Sequence, residues 1–406
     1  MRRALGSLWP VPLAVGLGVF VLALYGCPPE QEPIEAPGEG APPGGMAGEE
    51  APIKIGGIFA ITGPASSLGE PEANTAEMLQ EQINAEGGIN NRRLEIIVRD
   101  TKGDETEGLS AVRELIDKEN VVAIVGPSRS GTTLGLIETV EKAEVPLVSC
   151  AAARAITEPT KKWVFNTPQS DEDAVTRIYE YLNNEGITKI ATITASSGYG
   201  IEGLKQLEKL APDAGLEIVA KEEFADTDND MTTQLTKIKG TDAEAIICWG
   251  IGPAPAQIAK NRKQLQIDIP LIMSHGVANR RFIEGAGDAA EGIILPAGKL
   301  LVAEQLPDDD PQKELLLEYA ENYEEKFGKP ADTFGGHAWD AIMLVKNAIE
   351  EKGAEPAAIR EGIEGTEGFV GIGGVFNYGP DSHYGLSPDA FVMVKIQDGD
   401  WTLLAE

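Results

Sequence analysis

The chain has 406 residues, and its 65 acidic side chains outnumber 34 basic ones for a formal net charge of −31 at pH 7. So acidic a balance excludes nucleic acid as a partner, because binding a phosphate backbone requires a basic face. It suits solubility and weak sticking at an anionic membrane surface, or a salt-adapted setting, and does not by itself identify a substrate.

The chain begins with Arg2 and Arg3, an uncharged apolar run over residues 8–25 and a small residue, Gly26, before Cys27. This pattern reads as an export signal over residues 1–26. Pro10, Pro12, Gly16 and Gly18 interrupt the run, and about 18 residues is near the lower limit for a membrane span. A plain signal peptide and an uncleaved anchor are the alternatives. The stretch from Leu24 to Cys27 resembles the lipobox of bacterial lipoproteins, in which the cysteine is diacylated and becomes the mature N-terminus. The resemblance makes Cys27 the candidate lipidation site. Loss of the leader takes the formal charge from −31 to −33, since Arg2 and Arg3 are its only charged residues. Residues 27–51 are rich in Pro, Gly, Glu and Ala; such a segment has little to bury and is expected to act as a tether reaching about 75 Å when extended.

About 355 residues remain, more than one ordinary core holds, which points to two lobes. Apolar runs over 53–61, 94–98, 121–125 and 145–149 read as strands, and residues 72–85, 107–118 and the segment after 130 read as helices. After the stretch 163–168 the alternation resumes. Helices are expected over 173–184, 200–210, 231–238 and 256–265, and strands over 189–194, 216–220, 245–249 and 271–273. Such β/α alternation implies parallel sheets with helices on both faces, a Rossmann-like lobe built twice. Beyond Pro296 the pattern changes to helices over 313–326, 334–351 and 356–362, followed by apolar runs over 391–396 and 401–404. A chain that ends this way returns to both lobes through a multi-strand hinge with a cleft between them. Lobe 1 is drawn as 52–170 with 298–372, and lobe 2 as 171–297 with 373–406. Cys150 and Cys248 end apolar runs in different lobes and are expected to be buried free thiols. The cysteines and the three histidines show no metal-ligand spacing.

The run Val121–Val125 stops at Gly126-Pro-Ser-Arg-Ser-Gly-Thr-Thr133. A helix follows, with Leu134, Ile137 and Val140 on one face and Ser130 or Thr132 as candidate caps. The unpaired N–H groups of its first turn offer a seat for an anion at the carboxyl edge of the sheet. A solvated connection with no ligand is the alternative.

Over nearly all of the mature chain the sequence resembles the leucine/isoleucine/valine-binding proteins, of the type I periplasmic-binding fold. The likeness rests on the stretches 57–64, 81–89, 125–131, 145–149, 197–200 (Ser-Gly-Tyr-Gly) and 337–341 (His-Ala-Trp-Asp-Ala), taken in order. The resemblance implies an extracytoplasmic, lipid-anchored monomer that captures a small solute for an ABC permease and its ATPase. It implies that Ser130 and the amides around Gly131 hold a ligand carboxylate. Ala151 would offer a backbone carbonyl, and Ala153 stands where the family has a threonine hydroxyl. Leu68 takes an aromatic position, Tyr199 keeps a family tyrosine, Ile251 replaces another, and Phe334 matches an aromatic wall. His275 stands where amino-acid binders place a glutamate against the ligand ammonium. Neutral histidine offers one acceptor and protonated histidine none, so a carboxylate with an apolar or aromatic body fits this set better than a branched-chain amino acid. Arg129 is positioned to fork onto that carboxylate, with solvent or Glu138 as its other destinations. Trp249 is expected in the core, and His337 and His383 are expected to be structural.

A sensor or regulator built on the same fold, responding to amides or amino acids, is the competing function. Catalysis finds little support: no Gly-x-Ser-x-Gly elbow surrounds Ser128 or Ser130, residues 292–299 do not form a P-loop, and the histidines suggest no base beside a nucleophile. No catalytic residue, cofactor or metal ligand is assigned.

Overall fold

A computed structural model describes residues 51–404. The export signal, Cys27 and all of the tether but Ala51 lie outside the described residues. The first lobe runs β1 (Ile53–Phe59), α1 (Ser66–Ala85), β2 (Leu94–Asp100), α2 (Glu105–Glu114), β3 (Ala123–Val125), α3 (Ser130–Ala143), β4 (Leu147–Ser149) and β5 (Val164–Asn166). The second runs α4 (Asp171–Asn184), β6 (Lys189–Ala195), α5 (Gly198–Leu210), β7 (Glu217–Phe224), α6 (Thr232–Lys239), β8 (Ala245–Trp249), α7 (Ala254–Gln264), β9 (Leu271–Met273), α8 (Arg280–Ala286) and β10 (Ile294–Gly298). The chain closes with α9 (Lys313–Phe327), α10 (Thr333–Lys352), α11 (Pro356–Glu364), β11 (Phe369–Val370), β12 (Val375–Phe376), β13 (Phe391–Gln397) and β14 (Asp400–Leu403).

The first sheet, ordered β2-β1-β3-β4-β5, is parallel throughout. The second, ordered β14-β13-β10-β9-β8-β6-β7, is parallel from β7 to β10 and antiparallel at its other edge, where β13 pairs with β10 and β14 with β13. Two late apolar runs joined by a tight turn thus form a hairpin on one sheet. The stretch after Pro296 begins inside β10 rather than a helical region, because a proline in the middle of a short apolar run hides the strand. Residues 299–305, on the lobe 1 side of the boundary drawn from sequence, contribute Leu300, Val302 and Ala303 to the second lobe's core.

Helix ends follow their caps. Asp104 accepts the N–H groups of Thr106 and Glu107, which starts α2 ahead of the apolar periodicity, and its last turn widens over Leu115–Glu119. Ser170, Asn279 and Asp332 cap α4, α8 and α10 in the same way. α1 begins at Ser66 rather than 72 and carries Pro71 inside it. Proline supplies no N–H to the carbonyl four residues back, so the sequence pattern stops there while the helix does not.

The chain passes between lobes after β5, after β10 and after β12. These crossings are stitched by side chains. Gln169 Nε2 donates to the Gly373 carbonyl at 2.7 Å, Gln312 Nε2 to that of Gly371 at 2.8 Å, and Thr167 Oγ1 to that of His337 at 2.9 Å. The Asp340 carboxyl accepts the N–H groups of Ile372 and Gly373 at 2.6 and 2.7 Å. Cys150 and Cys248 are separate buried thiols.

Candidate functional site

The helices α1, α3, α5 and α10 aim their first turns at one narrow interlobe cavity, where Leu68, Ser130, Tyr199 and Phe334 line it. The starts of α3 and α5 have no side-chain cap, so they present N–H groups and the positive ends of their dipoles and favour an anion, whereas Asp332 already accepts the Phe334 and Gly335 N–H groups at the start of α10. Arg129, Ala151, Ile251 and His275 also line the cavity, together with Ser128, Cys150, Ala152, Pro168, Gly276 and His337. A larger groove beside α8 and α9 opens to solvent and carries paired charges such as Glu70 with Arg281. The helix starts that border it, α8 and α10, are capped by Asn279 and Asp332, and it is not the candidate.

Ser130 does not cap α3, nor does Thr132. Arg129 holds the cap position with no side-chain bond, and Ser130 Oγ accepts the Ala153 N–H at 3.3 Å. That bond fixes the hydroxyl at the cavity wall and places Ala153 behind it, outside the lining. Gly131 also lies outside the lining, where it packs against Gly198 of the other lobe. Small residues allow the two backbones to touch there.

Arg129 does not pair with Glu138, which is taken by Lys142. Its guanidinium crosses the cleft to Asp226 at 2.5 Å and donates to the Gly103 carbonyl at 2.9 Å, while Ser197 Oγ donates to the other Asp226 oxygen at 3.3 Å. The fork expected to meet a ligand carboxylate is therefore engaged in holding the lobes together. Both partners are largely buried, so solvent screens the pair less than a surface pair.

On the second lobe, His275 packs among Tyr199, Trp249 and Phe391, with ring centroids 5.7, 6.0 and 5.2 Å away. Tyr199 Oη lies 3.4 Å from His275 Nδ1, and Nε2 has no protein partner. Burial holds the imidazole pKa down to about 3, so His275 is neutral at physiological pH. Trp249 is fully buried and is not among the lining residues. His383 bonds Val164 and Glu364 and stacks on Phe165, away from the cavity.

His337, expected to be structural, lines the cavity one helical turn after Phe334. The i, i+3 spacing on α10 is the sequence signal that would have found it. Burial and then His275 push its pKa down to about 3, and its Nδ1 is unpartnered. Ser128 gave no local signal. Its hydroxyl accepts the Ala60 N–H and donates to Glu72, whose carboxyl burial keeps well above the usual range. Asp171, raised by burial to about 7, uses one oxygen to accept the Arg154 N–H at 3.0 Å and leaves the other unpartnered.

The depressed His275 pKa has a sign that can be tested. Below about pH 6.5 the unfolded chain takes up a proton that the folded imidazole refuses until about pH 3. The stability due to this site is therefore complete above 6.5 and falls as pH drops, by about 1.4 kcal/mol per unit. Between pH 7 and 5 the stability gap between wild type and His275→Gln is expected to move by about 2 kcal/mol in the variant's favour, read from denaturant midpoints. Parallel pH curves for the two proteins would refute neutral burial of His275.

Residues 52–400 match the family model described as periplasmic binding protein. Among curated relatives, the "Leucine-, isoleucine-, valine-, threonine-, and alanine-binding protein" of Pseudomonas aeruginosa is 24% identical over 77% of this chain and 82% of its own length. The Leu/Ile/Val-binding protein BraC3 of Rhizobium johnstonii is 26% identical over 77% of this chain and 85% of its own. Among solved structures, an extracellular ligand-binding receptor from Rhodopseudomonas palustris HaA2 superposes with a TM-score of 0.82 at 29% identity, covering 87% of this chain and 100% of that one. The substrate-binding protein LivJ of Streptococcus pneumoniae, solved with isoleucine, gives 0.77 at 25% identity over 87% and 99%. With two mostly parallel α/β lobes closed over one cavity and a family match that spans both, the chain belongs to the periplasmic binding protein family.

Proposed function

We propose that the protein is the extracytoplasmic solute-binding component of an ABC importer, tethered to the membrane through a lipid on Cys27 and acting as a monomer, and that it closes over an amino acid or small carboxylate. The observation that carries this reading is the convergence of α1, α3, α5 and α10 on a buried interlobe cavity walled by Ser130. A carboxylate there would meet the amides that open α3 and the Ser130 hydroxyl on the first lobe, and Tyr199 and His275 on the second. Closure removes water and joins surfaces of both lobes into the face that a permease would read. The ligand stabilises that state only through contacts with both lobes. A branched-chain amino acid ligand is the second reading, supported by the names of the relatives and by the isoleucine in the Streptococcus structure.

The test is a thermal-shift screen of the protein against amino acids, aromatic acids, short dicarboxylates and amides. A true ligand at 100 times its Kd adds about 2.7 kcal/mol of stability. Ser130→Ala is expected to weaken a carboxylate hit by about 1–3 kcal/mol through loss of a charge-assisted hydrogen bond. Calorimetry showing equal affinity for the variant would place the carboxylate elsewhere, and turnover of a bound compound would revive an enzymatic role.

A further inference from the structure

Resting on that reading, we infer that the bound carboxylate carries a second, neutral oxygen, a hydroxyl or carbonyl, which accepts a hydrogen bond from His275 Nε2, and that an ammonium is disfavoured at this position.

The proton on Nε2 follows from the neighbour of the other ring nitrogen. Tyr199 Oη lies 3.4 Å from Nδ1, and a phenol is a better donor than a neutral imidazole N–H. Tyr199 therefore donates to Nδ1, and in a neutral ring the hydrogen then sits on Nε2. That N–H has no protein acceptor, although His275 is only 6% exposed and lines the cavity. A buried donor left unmade is costly, so a ligand acceptor has something to satisfy. His337 places a second imidazole with an unpartnered nitrogen on the same cavity.

An ammonium brings only donors and a charge that needs an acidic counterpart. No carboxylate is among the lining residues. Of the nearby acids, Glu72 and Asp171 each bond through one oxygen, to the Ser128 hydroxyl and the Arg154 N–H, and leave the second buried without a protein partner; neither lines the cavity, and burial favours the neutral form of both carboxyls. An ammonium would face the Nε2 hydrogen, whereas a hydroxyl or carbonyl oxygen would accept it.

Matched head groups on fixed skeletons test this by calorimetry. On one skeleton the set is 4-methylpentanoate, 2-hydroxy-4-methylpentanoate and leucine. On the other it is 3-phenylpropanoate, 3-phenyllactate, 3-(4-hydroxyphenyl)propanoate and phenylalanine. In the tighter-binding set a hydroxylated member is expected to exceed both the parent acid and the amino acid by tenfold or more. His275→Phe is expected to erase the gain over the parent acid, read as the ratio of the two affinities within the variant. An amino acid that binds as tightly as the hydroxylated members overturns the inference and leaves the carboxylate reading standing, as does a hydroxyl gain that survives in His275→Phe. If no member of either set binds, the carboxylate reading fails and this inference falls with it. Should His275→Phe not fold, the rank order on the wild-type protein decides.

Discussion

Gly198→Ala is expected to cost tenfold or more in ligand affinity while leaving the unfolding temperature of the ligand-free protein unchanged or slightly raised. Gly198 is the first residue of α5, and a Cβ built there would lie 2.7 Å from Gly131 Cα and 2.9 Å from Gly131 N on the opposite lobe. Both contacts are with backbone, so neither can be relieved by a rotamer change, and inserted atoms in a tight contact typically cost about 1–3 kcal/mol. The remaining near atom, the Ser130 carbonyl carbon at 3.8 Å, also belongs to the first lobe. Once the lobes part, these three contacts are gone, and alanine is the better helix former. The penalty falls on the closed state alone, where it also loosens the Arg129–Asp226 pair one residue from Gly131's helix start. Apparent affinity scales with the fraction of closed protein, and 1.4 kcal/mol is a factor of ten. The measurement pairs calorimetry on the tightest ligand of the screen with thermal unfolding of the ligand-free variant. Unchanged affinity would mean that ligand capture does not require these two helix starts to meet, and a large drop in stability would mean that the contact belongs to the fold rather than to closure.

Most of the architecture was legible because long elements repeat their apolar spacing. The strand and helix order from β1 to β9, β5 apart, follows from it. What escaped is short or irregular: β5 has 3 residues and β11 and β12 have 2 each, too few for any period, and Pro71 and Pro296 interrupt a helix and a strand that continue past them. At the site, Ser130 and Tyr199 were visible because each opens a helix directly after a strand, where glycine and small polar residues mark the turn. The engagement of Arg129 was not visible, because Asp226 lies 97 residues away in the chain and only lobe closure brings the two together. Ser128 was hidden for the same reason. Its partner Glu72 is 56 residues distant, and a carboxyl inside an amphipathic helix reads as a solvated face until the packing is known. His337 differs, since its spacing from Phe334 was available and pointed to a shared helix face.

Asp340→Ala is expected to lower the unfolding free energy by about 2–4 kcal/mol, the sum of leaving two buried N–H groups without an acceptor. Asp340 sits on α10, fully buried, and receives Ile372 and Gly373 at 2.6 and 2.7 Å. Burial drives its carboxyl pKa upward and the two N–H bonds pull it back. The loop it grips is also the point where the crossings meet: Gln169 bonds the Gly373 carbonyl, and Gln312 those of Gly371 and Ile372. Alanine therefore frees a loop that ties every passage between the lobes to the helix carrying Phe334 and His337. Asp340→Asn retains an oxygen for one of the N–H groups and is expected to recover part of the loss. Denaturant unfolding at pH 7 gives the comparison, with an unchanged m-value assigning the difference to stability rather than to the compactness of the unfolded chain. A loss below about 1 kcal/mol for Asp340→Ala would show that the loop finds other acceptors or water, and the hinge would then be held by the two glutamines and Thr167. If the larger loss is found and ligand affinity also falls, α10 couples the two: the same residue that ties the crossings together keeps Phe334 and His337 on the cavity wall.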